Sequence, residues 1–517
     1  MSSTLVNYHK KLNRLESFNF KLGIKAIFSN YIFILFSFIN LFLPFYATII
    51  SSSFGNNGIY NLVSVGLTTS FITIFNQFLF LVAISIIFVY RKQNSKFSNS
   101  YNVNYAYLFL LIISIICIGL FLLTSFIYTK FSTSYQNFET SSIYELKFIL
   151  SLCPTIIFNA FIYYFIISKY YDKNRKTSII TLLLFFALNI IFIPIFYYYL
   201  PLNSQNYIIG IGIGFTLSSL LIFLFILVYR FIFDYFYLVI SFSWLEFFKF
   251  NKKIIHFSVN FLLSTFMKIF LIMAIALALG LSQKDTPPEL MIAKIVWYNS
   301  LFFCGWFADG LLYSIEYTRL INYNNSKTYS NNKEIWNFLV VLSAVITLLI
   351  CVVFNFVVID KITTLYTSHQ TPAIANPLPN WPYQLNGEAI NNYLWSPNGS
   401  YNFKLVSIVN NQVVYAQSAH FAIMYTTIYH VLINSTKIMS IKKLNIHQKF
   451  DLKSTIINFI TIALIMSFIV VFSVVPDTYS FNKIFGGIDA FSFSLMVVSI
   501  LMFSATLFGY IKQKNMK

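Results

Sequence analysis

Stretches of twenty or more residues nearly free of charge alternate along this chain with short basic segments. Apolar runs long enough to cross a bilayer fall at 27–50, 61–90, 104–129, 146–168, 177–200 and 206–230. A second six follow at 254–281, 289–318, 335–360, 411–436, 454–475 and 486–511. The pattern predicts an all-α integral membrane protein with twelve transmembrane helices in two six-helix lobes, 27–230 and 254–511. Residues 1–26 form an N-terminal segment and 512–517 a tail. The lobes are joined by 231–253, where FDYFYLVISFSWLEFFKFNKK carries Asp234, Glu246 and Lys249. An interfacial amphipathic helix suits that mixture better than a thirteenth span. Within the second lobe, 362–410 is rich in proline (Pro372, Pro377, Pro379, Pro382, Pro397) and asparagine, which predicts an extracellular loop.

The loops orient this map. With the first segment in the cytoplasm, 27 of the 35 Lys and Arg residues lie in cytoplasmic segments, seven lie outside, and Lys268 falls within a span. That asymmetry predicts both termini in the cytoplasm. It also accounts for a net charge of +19 without nucleic acid, since the basic residues lie in short clusters between spans. Only 10% of residues are charged and 58% are hydrophobic, which excludes an ordinary soluble enzyme. The first 25 residues lack the apolar core and cleavage site of a secretory signal. Cys117, Cys153, Cys304 and Cys351 fall inside spans with no zinc or disulfide spacing, so they read as small buried apolar residues.

An ionisable group in hydrocarbon costs several kcal/mol unless it pairs or faces water, so each one is a functional candidate. Lys268 lies near the middle of the seventh span and Asp309 well inside the eighth. Counted from the cytoplasmic ends, their depths differ by roughly 7–8 Å at 1.5 Å per residue, within partial reach of a lysine. Two readings of a Lys268–Asp309 pair stay open: a site that exchanges its salt bridge for a proton, cation or anionic substrate, or a static lock between two helices. Asn40, Asn76, Gln77, Asn159 and Asn189 are candidates for a cavity in the first lobe, with interhelical hydrogen bonding as the plainer reading. Thr265 and His430 are the corresponding candidates in the second. His430 suits a proton relay, or is simply solvated near an interface. Glu316 and Arg319 read as a surface pair, and Pro44, Pro154 and Pro194 as kinks within spans. The chain contains no P-loop, HExxH motif, CxxC pair or dinucleotide fingerprint, so no catalytic or metal-binding residue and no cofactor is expected.

The two halves share a weak pattern: each runs through a basic turn, 169–176 or 437–453, to a glycine-bearing start of its last span, GIGIG at 210–214 and FGGIDAFSFS at 485–494. A six-plus-six repeat is common among secondary transporters. Three stretches carry a more particular likeness: LNIIFIPIFYYYLPLNSQNYIIGIGIGFTLSSLLIFLFI at 188–226, FNKKIIHFSVNFLLSTFMKIFLIMAIALALG at 250–280, and WYNSLFFCGWFADGLLYSIEYTRLINYNNSKTYSNNKEIW at 297–336. Through them the chain resembles the multidrug and toxic compound extrusion (MATE) family, within the superfamily that includes polysaccharide and lipid flippases. The resemblance implies a monomeric cell-membrane antiporter that exports amphipathic or cationic small molecules by alternating access, coupled to H⁺ or Na⁺. The alternative it implies is a flippase for a lipid or lipid-linked precursor. The partners implied are a small-molecule or lipid substrate and membrane lipids. The family's coupling carboxylates, in its first, seventh and tenth spans, are not matched here. The first span offers Asn40 and Pro44 but no acid, the seventh offers Ser264, Thr265 and Lys268, and the tenth His420 and His430.

Overall fold

The computed structural model of the chain describes residues 31–52, 58–93, 99–132, 139–200, 207–233, 243–245, 247–255, 258, 303–321, 333–354, 405–409 and 412–416, with isolated positions in 427–435 and 496–507. The first lobe is six helices: α1 Tyr31–Ser52, α2 Gly58–Gln93, α3 Asn99–Ser132, α4 Glu139–Tyr171, α5 Arg175–Tyr199 and α6 Tyr207–Phe233. Each contains a segment long and apolar enough to cross a membrane. Residues 247–255 are helical, followed in the second lobe by α7 Trp306–Ile321 and α8 Lys333–Val353. The fold is that expected, all-α and membrane-spanning, with one short exception.

The exception is an antiparallel hairpin of β1 Leu405–Val409 and β2 Gln412–Ala416. It takes in the start of the segment read as the tenth span, so 412–416 is strand where helix was expected. A hydropathy window does not distinguish an apolar stretch rich in β-branched residues from a membrane helix. Here LVSIV and QVVYA favour a strand. Val409 pairs with Gln412, and the sequence between them is Asn410-Asn411, a residue type favoured in two-residue hairpin loops.

Burial sorts the six helices. The membrane segment of α2 is 94% buried, whereas those of α3 and α5 are 33% and 28% buried, so α2 is the centre of the lobe and the other two its rim. The outward residues are apolar: Ile115, Ile116 and Leu123 on α3, Ile180, Leu183 and Ile191 on α5, and Leu224 and Val228 on α6. Such bands suit lipid rather than water. Basic residues at one end of the lobe are met by aromatic rings. The Arg230 guanidinium lies 5.2 Å from the Tyr107 ring centre and 5.4 Å from that of Phe165, and the Lys169 ammonium lies 5.0 Å from that of Tyr229. A ring face attracts a cation without bringing a second charge into the membrane.

Proline explains how α1 is fastened. A proline lacks the N–H that would bond the carbonyl four residues earlier. Pro44 therefore releases the Asn40 carbonyl and Pro194 the Ile190 carbonyl. In hydrocarbon such a group needs another donor. The Thr73 hydroxyl of α2 lies 3.4 Å from the Asn40 oxygen, and the Tyr46 hydroxyl of α1 donates to the Ile190 oxygen at 3.0 Å. The Pro194 site thus carries a hydrogen bond from α1 to α5, and the Pro44 site a longer polar approach from α2, where the Thr73 hydroxyl also bonds the Thr69 carbonyl of its own helix at 2.9 Å. A third tie runs from the Tyr197 hydroxyl to the Ser51 carbonyl at 3.1 Å. On either side of Pro194 in α5, Gly210 and Gly214 bring the α6 backbone against Phe196 and Ile193. A Cβ on Gly214 would stand 2.9 Å from the Ile193 Cα, and one on Gly210 would collide with the Phe196 carbonyl. This is small-residue packing between membrane helices.

Tyr46→Phe is expected to lower stability by about 0.6–1.7 kcal/mol, because it strands the Ile190 carbonyl. In a Pro194→Ala background, which restores the helical donor, the same substitution should cost much less. Thermal unfolding of the four proteins of this double-mutant cycle in detergent checks the coupling.

Candidate functional site

The first lobe holds a small cavity, lined in part by polar side chains, among α1, α2, α4, α5 and α6. Asn40 and Pro44, Thr69, Thr73 and Asn76, Asn159, Phe185 and Phe215 line it, and its volume of about 20 Å³ suits one water-sized guest. Asn40 donates to the Thr73 carbonyl at 3.1 Å. Asn159 donates to the Asn76 side-chain oxygen at 3.0 Å and accepts from the Ser219 hydroxyl at 2.9 Å. Asn40, Asn76 and Asn159 are all at most 7% exposed. Three of the predicted asparagines therefore meet at one site, with Asn159 as the hub joining α2, α4 and α6.

Asn189 is fully buried on α5 but does not line this cavity. Its amide nitrogen donates to the Phe185 carbonyl within its own helix at 2.7 Å, and its side-chain oxygen has no hydrogen-bond partner. Gln77 is buried on α2 next to Asn76. The sequence reading missed Thr69, Thr73 and Ser219. The signal was present: Thr69, Thr73 and Asn76 recur at i, i+4 and i+7, one face of a helix. The cavity's lining contains no ionisable side chain; its polar members are amides and hydroxyls, and Leu43, Pro44, Ile72, Phe185 and Phe215 make up the rest.

The second feature is the seam between the first lobe and α7. Gly310 faces α1 so closely that a Cβ there would stand 2.6 Å from the Ile34 Cα and 3.1 Å from the Phe33 carbonyl oxygen. Around this contact the rings interlock. Tyr317 lies 4.9 Å from Phe33 and 5.5 Å from Tyr170, and Tyr313 lies 5.8 Å from Phe80 and 6.0 Å from Phe36. Phe36 stacks on Phe80 at 3.6 Å, and the Arg175 guanidinium covers Tyr170 at 5.4 Å. Further along α1, Phe303 stacks on Phe45 at 5.4 Å and Trp306 meets Phe38 at 5.3 Å. Helix α7 thus lies along α1 through ring packing and one glycine.

Asp309 stands next to this glycine, partly buried, in the first turn of α7. The chain forms a turn at Cys304–Gly305, and the Asp309 N–H donates to the Gly305 carbonyl at 3.0 Å. The helix therefore starts within the segment expected to cross the membrane, and its positive N-terminal end favours a carboxylate there. A purely structural role for Asp309 is consistent with that placement. Yet Asp309 also lies within electrostatic reach of Tyr313 and Tyr429. The Tyr313 hydroxyl is buried without a hydrogen-bond partner, while its ring closes the seam. Lys268, Thr265 and His430 lie outside the described residues.

No protein-family model and no curated protein sequence matches the chain. Its fold does match solved structures. An outward-facing and an inward-facing multidrug resistance MATE family transporter of the MOP superfamily each align with a TM-score of 0.59 at 14% identity. The first covers 96% of this chain and 97% of its own, the second 95% and 99%. A Vibrio cholerae MATE transporter aligns with a TM-score of 0.57 at 12% identity, over 96% of this chain and 98% of its own. The chain therefore has the MATE transporter fold, over nearly its whole length.

Asn159→Leu should destabilise the protein by about 1–3 kcal/mol, because it strands partners on Asn76 and Ser219. Asn189→Leu removes an oxygen that has no partner and should cost less than half as much. Melting temperatures of the two variants in the same detergent decide the order.

Proposed function

We propose that the chain is a secondary active transporter of the MATE family that exports amphipathic or cationic small molecules by alternating access, coupled to H⁺ or Na⁺. In this reading it is a monomer in the cell membrane, with both termini and the basic end of the first lobe in the cytoplasm. The carrying observation is the seam itself. Two lobes of a transporter fold meet through aromatic packing and a glycine contact beside a membrane carboxylate. Ring contacts can part and re-form without leaving a charge stranded, which is what a gate between two access states needs.

Coupling belongs to the second lobe. The first-lobe cavity has amides and hydroxyls but no group that titrates, so it relays or coordinates rather than exchanging a proton. Asp309 is a carboxylate beside Gly310, the close contact of the gate. Binding a proton or Na⁺ there, or exchanging a salt bridge with Lys268, changes the field at Tyr313 one helical turn away. Tyr313 packs on Phe36 and Phe80 of the opposite lobe, so the change reaches the seam directly.

Proteoliposomes loaded with a cationic dye test this. Wild type should show efflux driven by an imposed pH or Na⁺ gradient, and Asp309→Asn and Lys268→Ala should each lower it by about tenfold or more while the proteins remain folded. Swapping the charges, Lys268→Asp with Asp309→Lys, should not restore efflux; recovery would make the pair a structural lock. Absence of gradient-driven efflux of any cation by wild type would overturn the export reading.

A further inference from the structure

The helical segment between the lobes has two faces to account for. Turning 100° per residue, Phe247, Phe250, Asn251, Ile254 and Ser258 fall in one arc of about 100°, and all five are buried. That arc is docked on α3: the Ser243 N–H donates to the Tyr105 hydroxyl at 3.1 Å, and the Tyr105 ring lies 6.0 Å from Phe247 and 6.2 Å from Phe250. The helix is therefore held in one rotation about its axis.

The remaining surface divides again. Trp244, Phe248 and Ile255 form a narrow band beside the buried arc, and they are 62%, 64% and 51% exposed. Lys252, Lys249 and Lys253 fill the next arc, all exposed, with Leu245 among them at 64% exposed. Trp244, Leu245, Phe248, Lys249 and Lys252 line one open cleft of about 460 Å³. The sequence sets a single acid, Glu246, within the segment. An apolar band flanked on one side by protein and on the other by lysines is the layout of a helix lying at headgroup depth. The rings enter the acyl region, and the ammonium groups stand where phosphates are.

We propose that this cleft binds an anionic phospholipid of the cytoplasmic leaflet, with the phosphate held by Lys249 and Lys252, supported by Lys253, and the glycerol and upper acyl chains against Trp244, Leu245 and Phe248. The choice of lipid follows from charge: three lysines beside an exposed apolar band complement a leaflet with negative surface potential. The cytoplasmic placement rests on the orientation proposed above. The linker is the only covalent connection between the lobes, so a lipid seated here bridges the part of the chain that must bend when they rock.

The test uses the full chain in phosphatidylcholine nanodiscs containing a matched fraction of brominated phosphatidylglycerol or brominated phosphatidylcholine. The difference in tryptophan quenching between wild type and Trp244→Phe isolates the Trp244 signal. That signal should be quenched at least about twofold more by the anionic lipid than by the neutral one. The preference should vanish in Lys249→Gln/Lys252→Gln/Lys253→Gln. Equal quenching by both lipids, a preference that survives the triple substitution, or no Trp244-dependent quenching would each overturn the proposal. Loss of the preference on adding free glycerol phosphate would assign the lysines to a soluble anion and overturn the lipid assignment too. None of these readouts depends on dye efflux, so failure of the export reading and failure of this one are separable.

Discussion

A backbone carbonyl left without a donor is hard to accommodate inside a bilayer, and much of the first lobe follows from that constraint. Pro44 and Pro194 each release one carbonyl, and a hydroxyl from a neighbouring helix approaches each, Thr73 at Asn40 and Tyr46 at Ile190. At Pro194 the freed carbonyl therefore joins two helices. Asn40, Pro44 and Thr73 also line the cavity. The asparagine network extends the same logic, since amides in hydrocarbon bond one another across α2 and α4.

The rule applies differently to charge. Near the basic end of the first lobe, Arg230, Lys169 and Arg175 lie over aromatic rings. The seam against α7 is likewise built from rings and Gly310. Aromatic contacts thus hold α1 against α7 without placing a pair of charges in the seam. Asp309 stands at the edge of this seam, beside Gly310, and the contacts around it are ring packing.

The six spans of the first lobe were legible because twenty apolar residues have few other uses, and the fourth, Leu146–Tyr171, lies within three residues of the expected 146–168. The helices themselves run further, α4 from Glu139 to Tyr171, because the polar first turns carry no hydropathy signal. Asn40, Asn76 and Asn159 could be picked out as costly groups, but which would meet depended on helix rotation and packing that no one-dimensional pattern carries. Thr69 and Thr73 were overlooked because a threonine can always bond its own helix, as both do here. The strand at 412–416 was missed because hydropathy averages away β-branching. The break before Trp306 was missed because a single glycine in an apolar run, Gly305, rarely interrupts a membrane helix. Both halves of the linker's character were visible, its aromatics and its lysines, but their division into separate arcs needed the docked face to be known.

The central claim is that the α1–α7 seam opens and closes. Spin labels at Lys176 and Ile321, on the basic ends of α5 and α7, report the distance across it by pulsed electron resonance in a chain whose four cysteines are replaced. The account predicts two distance populations that exchange weight between acid and alkaline pH or on adding Na⁺, with the short one depleted by Gly310→Leu. A single distance, unmoved by pH, Na⁺ and that substitution, would contradict it.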